Sequence, residues 1–271
     1  MRNPLSSHTP FPPTTAMTFS LATLLPHSKA NLTPAAAPQP TARISPWLAS
    51  LAYRLAHRVV MPLYFGKIQI TGQENLPRSG AVLLTPTHRS RWDGLMIPYA
   101  TGRWVTGRDV YFMVSANEMR GFQGWWVSRL GGFPVDTAKP GRSSIRRGVE
   151  LLRRQRMLVV FPEGDIYRDG SVHPLKAGPA HMAIQAALAE HMDVQVVPIA
   201  LHYSQAVPTQ GCAVTIKIGK PLATGSYLPD SSPTTLNQSQ FKHSTQALTA
   251  DLEARLVALN EAAQGAPVAE G

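Results

Sequence analysis

Six short apolar runs alternate with segments of helical periodicity along the chain from about residue 68 onward. Such runs are typical of strands that are buried on both faces, because those strands expose no polar side. Strands spaced by helical segments are typical of a parallel sheet that carries helices on its faces. The pattern predicts an α/β fold with a mostly parallel central sheet flanked by helices. The predicted strands are AVLLT (81–85), DVYFMVS (109–115), GGFPVD (131–136), MLVVFPEG (157–164), VQVVPIALHY (194–203) and CAVTIKIG (212–219), and the predicted helices are GFQGWWVSRL (121–130), SSIRRGVELLRRQ (143–155) and GPAHMAIQAALAEH (178–191).

Residues 45–67 carry a different pattern, which predicts an N-terminal amphipathic helix with a cationic side. Its central charges and Pro62 argue against a membrane span, which needs about 20 apolar residues. Two placements stay open: the helix lies in a bilayer interface, or it packs on the core of its own domain. Its polar side carries Ser50, Arg54, His57 and Arg58, and its apolar side carries Leu48, Leu51, Leu55, Val59 and Leu63.

Residues 1–44 are rich in Pro, Ser, Thr and Ala and show no sustained period, which predicts a disordered tail. Their lack of acidic residues resembles a transit peptide, and a low-complexity tail or a start at Met17 explains the composition equally well. The remainder is expected to form one domain over residues 68–262, followed by a flexible tail at residues 263–271.

The charge of the chain is +10, and six basic residues but no acidic ones precede Glu74. A cationic surface attracts either anionic lipid or nucleic acid, and charge alone does not choose between them. The most basic segment, RRGVELLRRQR, alternates its arginines with an apolar helix face and offers no aromatic side chain for stacking on bases. We therefore expect membrane lipid, and no nucleic acid, as a partner.

Metal-ligand patterns are weak in this sequence. The single cysteine, Cys212, excludes an internal disulfide framework and a thiolate metal cluster. Four of the histidines show no ligand spacing with one another, and a lone His/Asp pair lacks further ligands. No metal and no bound cofactor are expected. The four histidines are His173, His181, His191 and His202.

His88 and Asp93 stand five positions apart in the segment THRSRWDG, which follows a predicted strand. On a regular helix, residues with this spacing do not lie above one another, so a bend is needed to bring them together. If His88 lies in the turn and Asp93 in the first helical turn, the carboxylate accepts a hydrogen bond from one ring nitrogen and leaves the other basic. The chain has no G-x-S-x-G segment for a nucleophile. The pair is therefore expected to act as a base for a hydroxyl that a substrate brings, although a simple turn-capping role also fits an isolated pair.

Four short blocks, in this order along the chain, resemble those of the 1-acylglycerol-3-phosphate acyltransferase family, the phospholipid and glycerol acyltransferases. They are His88 to Asp93, Gly132 to Asp136, Phe161 to Gly164 and Val197 to Ile199. One block is a weak signal, whereas four in order are a strong one. The resemblance covers roughly residues 70–220.

The resemblance implies an enzyme that moves a fatty acyl group from a thioester to the free hydroxyl of a lysophospholipid. It implies acyl-ACP or acyl-CoA as co-substrate, 1-acyl-glycerol-3-phosphate as acceptor and phosphatidic acid as product. His88 would be the catalytic base and Asp93 its orienter, with direct attack and no acyl-enzyme. Backbone N–H groups around Glu163 and Gly164 are candidates for binding the substrate and its oxyanion. The protein is then expected to be peripheral or monotopic at the cytoplasmic face of a membrane.

The chain departs from the family blocks at two positions where arginines are usual. Thr137 follows the second block, and Asp165 and Ile166 follow the third. Since those family arginines are associated with the acceptor's phosphate, other cations are needed here. Arg168 is the first candidate, and the other predicted substrate-binding cations are Arg91, Lys139 and Arg142, the last two close to a helix N-terminus that favours anions.

Two alternatives remain open at this point. One is a non-catalytic lipid-binding or membrane-interaction protein on the same fold, against which the intact His88 and Asp93 argue. The other is an acyltransferase for a different lyso-lipid acceptor.

Overall fold

Parallel pairing dominates the central sheet of the computed structural model, which describes residues 44–119, 121–135, 142–229 and 236–265. Within these residues the sheet has the order β1-β7-β6-β2-β5-β3-β4, and β8 pairs with β6. Only β6 pairs antiparallel, with β7 and with β8. The predicted mostly parallel α/β fold is therefore confirmed. The strands are β1 (Phe65–Thr71), β2 (Ala81–Pro86), β3 (Val110–Ser115), β4 (Gly132–Val135), β5 (Met157–Val159), β6 (Val194–Tyr203), β7 (Cys212–Ile218) and β8 (Leu222–Ala223).

Eight α-helices accompany these strands in the described part of the chain, and they are α1 (Pro46–Leu55), α2 (Met61–Tyr64), α3 (Asp93–Thr101), α4 (Arg103–Thr106), α5 (Gly121–Arg129), α6 (Arg142–Arg153), α7 (Gly178–Glu190) and α8 (Gln238–Gln264). A π-helical turn, Ala56–Val60, joins α1 to α2. The predicted amphipathic helix thus ends at Tyr64 rather than at residue 67, because Phe65 already belongs to β1. At the other end α8 runs to Gln264, past the predicted domain end at residue 262, and buries Ala263. Residues 1–43 and 266–271, which hold most of both predicted tails, lie outside the described residues.

The core lies on both faces of the sheet because successive residues of a strand point to opposite faces. Leu83 and Leu158 face a cluster that includes residues of α6, α7 and α8. Their neighbours Leu84 and Val159 face a second cluster, which includes α3 and Met61 of α2. Both faces of the central strands are therefore buried, which explains why their sequences are continuously apolar.

The polar side of α1 and of the following π-helical turn makes contacts with the domain. The Ser50 hydroxyl accepts a hydrogen bond from Nη1 of Arg103 at 3.0 Å. The His57 ring stacks on Tyr99 and on Trp104, at centroid distances of 4.1 and 4.3 Å. Burial lowers the pKa of His57, so the ring packs between these aromatic side chains in its neutral form at neutral pH.

The apolar side of the same helical segment is largely exposed. Leu48 and Met61 anchor its two ends in the protein. Between and beyond them lies an exposed stripe consisting of Leu51, Leu55, Val59 and Leu63. The helical segment therefore does pack on its own domain, through Leu48, Met61 and its polar side, while this stripe stays exposed. Placement of the stripe in a bilayer interface stays a prediction. No helix among the described residues is long and apolar enough to cross a membrane.

Candidate active site

Three neighbouring strands bring the conspicuous polar residues of the sequence to one edge of the sheet. β2 pairs in parallel with β5 on one side and with β6 on the other, so their carboxyl ends point the same way. His88 lies in the loop after β2, Glu163 in the loop after β5, and Tyr203 is the last residue of β6. In open α/β sheets, ligands bind at such an edge.

His88 and Asp93 form the predicted pair at this edge. Nδ1 of His88 lies 2.9 Å from Oδ2 of Asp93, which begins α3 and is fully buried. Because a carboxylate only accepts hydrogen bonds, Nδ1 carries the proton and Nε2 remains basic. The ring stacks on Phe161 at a centroid distance of 4.0 Å, and its side chain is 19% exposed. The pair is thus a fixed imidazole at a partly open surface, and its Nε2 has no hydrogen-bond partner among the described residues.

Four donors satisfy the buried Asp93 carboxylate. Besides the His88 ring, Oδ2 accepts from the backbone N–H of Arg89 at 2.6 Å and of Ser90 at 2.9 Å. Oδ1 accepts from the Tyr203 hydroxyl at 2.7 Å. Burial, together with the negative charge of Asp93, raises the pKa of Tyr203, so its hydroxyl stays protonated and donates. Tyr203 was missed in the sequence because nothing local connects it to a carboxylate 110 positions earlier.

Glu163 ties the loop after β5 to the loop that holds His88. Its carboxylate accepts from the backbone N–H of His88 at 2.8 Å and of His173 at 3.0 Å. It also pairs with Nη1 of Arg89 at 2.9 Å, and both side chains are buried. The Glu163 carboxylate is thus engaged by the protein and positions the backbone of His88. The expectation that backbone N–H groups around Glu163 bind substrate stays a prediction.

Gly164 lies in the left-handed region of backbone conformation, with a φ of +78°. Its N–H donates to the Phe161 carbonyl at 3.2 Å, so this N–H is not the free oxyanion donor that we expected. A Cβ atom at Gly164 would lie 2.4 Å from Nζ of Lys176. The glycine thus leaves space for the Lys176 side chain, which the sequence analysis did not single out.

A cavity of about 1000 Å³ has His88 in its lining. Its inner wall is largely apolar, and its described lining includes two cationic side chains, Arg91 and Lys176. Its size suits a ligand with a long apolar portion. The apolar lining includes Ala49, Ala52, Leu95, Phe112, Met113, Val127, Leu130, Val135, Ile145, Val160, Phe161 and Met182.

The remaining predicted substrate-binding residues fall at different places. Arg168 is exposed and lies outside the lining of this cavity, although Tyr167 beside it donates its N–H to the His88 carbonyl at 2.9 Å. Lys139 lies outside the described residues, as do Asp136 and Thr137 of the second block. Arg142 begins α6, and its side chain is outside the described part.

Comparisons with known proteins show the family of the chain. A family model described as Acyltransferase matches residues 67–202, which is 136 of the 271 residues. The chain is 28% identical over 132 residues to the 1-acyl-sn-glycerol-3-phosphate acyltransferase of Bacillus subtilis (strain 168), covering 47% of this chain and 61% of that protein. The corresponding enzyme of Streptococcus pneumoniae is 27% identical over 43% of this chain and 40% of its own length. The matched region thus spans less than two thirds of these relatives.

The similarity to a solved structure covers a longer stretch. That structure is the 1-acyl-sn-glycerophosphate (LPA) acyltransferase PlsC from Thermotoga maritima, with a TM-score of 0.52 over 77% of this chain and 79% of that chain. At 18% identity, this similarity concerns the fold.

Tyr203→Phe tests how much the buried carboxylate depends on its distant donor. The substitution leaves Oδ1 of Asp93 without the Tyr203 donor, and an unsatisfied buried group costs about 1–3 kcal/mol. We expect the free energy of unfolding, measured by urea denaturation, to fall by about that amount. The matched control is Tyr227→Phe, since Tyr227 donates to Asp251 at 2.8 Å on the surface. An equal effect of the two substitutions would contradict this view of the Asp93 site.

Proposed function

Because the chain belongs to the acyltransferase family, we propose that it is an enzyme that moves a fatty acyl group from an acyl thioester to the free hydroxyl of a lysophospholipid. The proposed acceptor is 1-acyl-glycerol-3-phosphate, and the product is then phosphatidic acid. One observation carries the proposal: a histidine held by a buried carboxylate lines a large apolar cavity. This combination suits a base that acts on a substrate with a long hydrocarbon chain.

The chemistry needs one base and no enzyme nucleophile. Nε2 of His88 takes the proton of the acceptor hydroxyl while the hydroxyl oxygen attacks the thioester carbonyl carbon. Asp93 stabilises the imidazolium that forms. The tetrahedral oxyanion then collapses, the carbon–sulfur bond breaks, and the imidazolium returns its proton to the leaving thiolate. The products are an ester and a free thiol, and His88 is again neutral.

The co-substrate is proposed to be acyl-ACP or acyl-CoA, without a further cofactor. Both carry the acyl group as a thioester, so the step at His88 is the same for either. The apolar wall of the cavity favours the hydrocarbon chain, since each buried methylene contributes about 0.8 kcal/mol. Binding of this part of the substrate places the carbonyl carbon beside the base.

The acceptor's phosphate requires cations, and the cavity offers two of them in the described residues. Lys176 crosses over Gly164 and lines the same cavity as His88, and Arg91 lies on the His88 loop. These two replace Arg168 as our first candidates because Arg168 lies outside the cavity lining. Lys139 and Arg142 remain predictions.

Association with membrane lipid is part of the proposal, as a peripheral or monotopic protein at the cytoplasmic face. The exposed apolar stripe of the N-terminal helical segment supports it, since exposed contiguous apolar surface marks an interaction site. Arg54 and Arg58 are exposed on the same segment and would favour anionic lipid.

Acyl transfer by the purified full chain tests the proposal directly. We expect turnover with a panel of lysophospholipids when acyl-ACP or acyl-CoA is supplied. His88→Ala should lower turnover by about 10²- to 10⁴-fold, the usual contribution of a positioned general base. Asp93→Asn should also be slow, because an amide can hold the ring in the wrong tautomer. Near-normal turnover of folded His88→Ala would exclude this mechanism.

Lys176→Ala tests the proposed phosphate contact. Because a hydrogen bond to a charged group contributes about 1.5–3 kcal/mol, we expect the KM for a phosphate-bearing acceptor to rise by roughly one to two orders of magnitude. The KM for the thioester should change little. Arg168→Ala is the matched control and should have the smaller effect. If Arg168→Ala raises the acceptor KM more than Lys176→Ala does, the phosphate binds near Arg168, outside the cavity, instead.

Charge reversal of Arg54 and Arg58 to Glu tests the membrane association. Each basic residue near an anionic surface contributes about 1 kcal/mol, so the loss of two cations should weaken binding to phosphatidylglycerol-containing vesicles by at least about 30-fold. Raised salt should weaken wild-type binding as well. Reversal of the exposed α8 residues Lys242 and Arg255 changes the net charge equally and serves as the control. Vesicle sedimentation that responds equally to both double variants would point to net charge rather than to this helix.

A further inference from the structure

A cluster of exposed aromatic side chains lies on α5, outside the segment for which membrane contact was proposed from the sequence. Phe122 is 74% exposed and Trp125 is 41% exposed. Their ring centroids are 5.9 Å apart, and that of Trp126 lies 5.5 Å from Trp125. Exposure of such large rings to water is unfavourable, so a covering partner would stabilise this surface.

The aromatic surface of α5 adjoins the beginning of α1. The backbone N–H of Ser45 donates to the carbonyl of Arg129, the last residue of α5, at 2.9 Å. Trp47, two residues further along, is also strongly exposed. The apolar stripe of α1 and the aromatic cluster of α5 therefore belong to adjoining parts of the molecule.

The same two elements line one cavity. Ala49 and Ala52 of α1 and Val127 of α5 all belong to its lining, together with His88. The exposed apolar side chains thus lie on two helices that also line the cavity of the proposed base. Nine of the eleven large exposed hydrophobic side chains in the described residues lie on α1 to α5 or on the π-helical turn between α1 and α2.

The charge of this surface distinguishes a lipid surface from other apolar partners. Residues 44–64 and 121–129 contain no aspartate or glutamate. Their basic residues include Arg54, Arg58 and Arg129, and the Arg129 guanidinium lies 4.1 Å from the centre of the Trp125 ring. Aromatic rings that carry a nearby cation suit the headgroup level of a bilayer, where Trp is enriched.

We propose that α5 is a second membrane-contacting element, which inserts Phe122 and Trp125 at the headgroup level of an anionic bilayer beside α1. The inference rests on the proposed association with membrane lipid and not on the chemistry of acyl transfer. With both helices in contact with the bilayer, the cavity opens towards the lipid, and an acceptor reaches His88 without leaving the interface.

Phe122→Ser in the full chain tests the inference with vesicles of phosphatidylcholine and phosphatidylglycerol. We expect the partition coefficient, measured by vesicle sedimentation, to fall roughly tenfold, because burial of one large apolar side chain changes an equilibrium constant by about that factor or more. Phe122→Trp should restore binding. Val257→Ser on α8 is the matched control, since Val257 is an exposed apolar residue on a helix that does not line the cavity. Because the Phe122 ring is exposed, the thermal unfolding temperature should stay unchanged.

Two further outcomes keep this inference separate from the proposed activity. With an acceptor dissolved below its micelle-forming concentration, Phe122→Ser should turn over like wild type, whereas turnover of vesicle-borne acceptor should fall with the partition coefficient. Wild type that binds vesicles through Phe122 but transfers no acyl group would contradict the proposed activity and support the role of α5. A partition coefficient of Phe122→Ser equal to that of wild type would overturn the inference. It would also be overturned if wild type formed a dimer that Phe122→Ser disrupts, because a second copy of the chain would then cover this surface.

Discussion

The negative charge of Asp93 is the constraint on which the candidate site depends. A fully buried carboxylate is stable only when its oxygens are paired, and here an imidazole, two backbone N–H groups and a tyrosine hydroxyl supply the hydrogen bonds. The two backbone donors require the loop after β2 to fold closely around the carboxylate. That fold places the His88 ring in one position with one ring nitrogen engaged. The buried charge of Asp93 therefore determines both the conformation of the turn and the orientation of the base that the turn holds.

A second buried carboxylate, Glu163, extends this arrangement across the sheet edge. It binds the backbone of His88 and the side chain of Arg89, and so joins the loops that follow the neighbouring parallel strands β2 and β5. A buried ion pair contributes little net stability when compared with apolar packing, but removal of one partner leaves an uncompensated charge. Its effect here is geometric: the loop that carries Phe161 and the loop that carries His88 keep one relative position. The stacking of the two rings at 4.0 Å follows from that position.

Exposed apolar side chains lie on helices that also line the cavity of the candidate site. The sheet buries its own two faces in separate clusters, yet the helices at the cavity leave large hydrophobic side chains exposed. In the N-terminal helical segment the polar residues Ser50 and His57 contact the domain, while the exposed apolar stripe faces outward. An amphipathic helix on a soluble core buries its apolar side, whereas here the stripe is exposed together with Arg54 and Arg58. Contact of this stripe with a lipid interface, rather than with the protein core, would account for its exposure.

The sequence by itself determined the features that depend on local pattern. Continuous apolar runs predicted the central strands, because a strand buried on both faces has no polar side, and the parallel sheet followed from the helices between them. The His88–Asp93 contact was also predictable, since five residues span one strand-to-helix turn. The strand predicted over 157–164 is shorter in the structure. β5 ends at Val159, and the apolar residues that follow belong to a loop. Only the tertiary structure decided that Tyr203 meets Asp93, that the Glu163 carboxylate binds the backbone of His88, and that Lys176 rather than Arg168 lines the cavity. Local periodicity reports which side chains are buried, whereas the partner of a buried polar group depends on strand order, which brings together residues that are far apart in the chain.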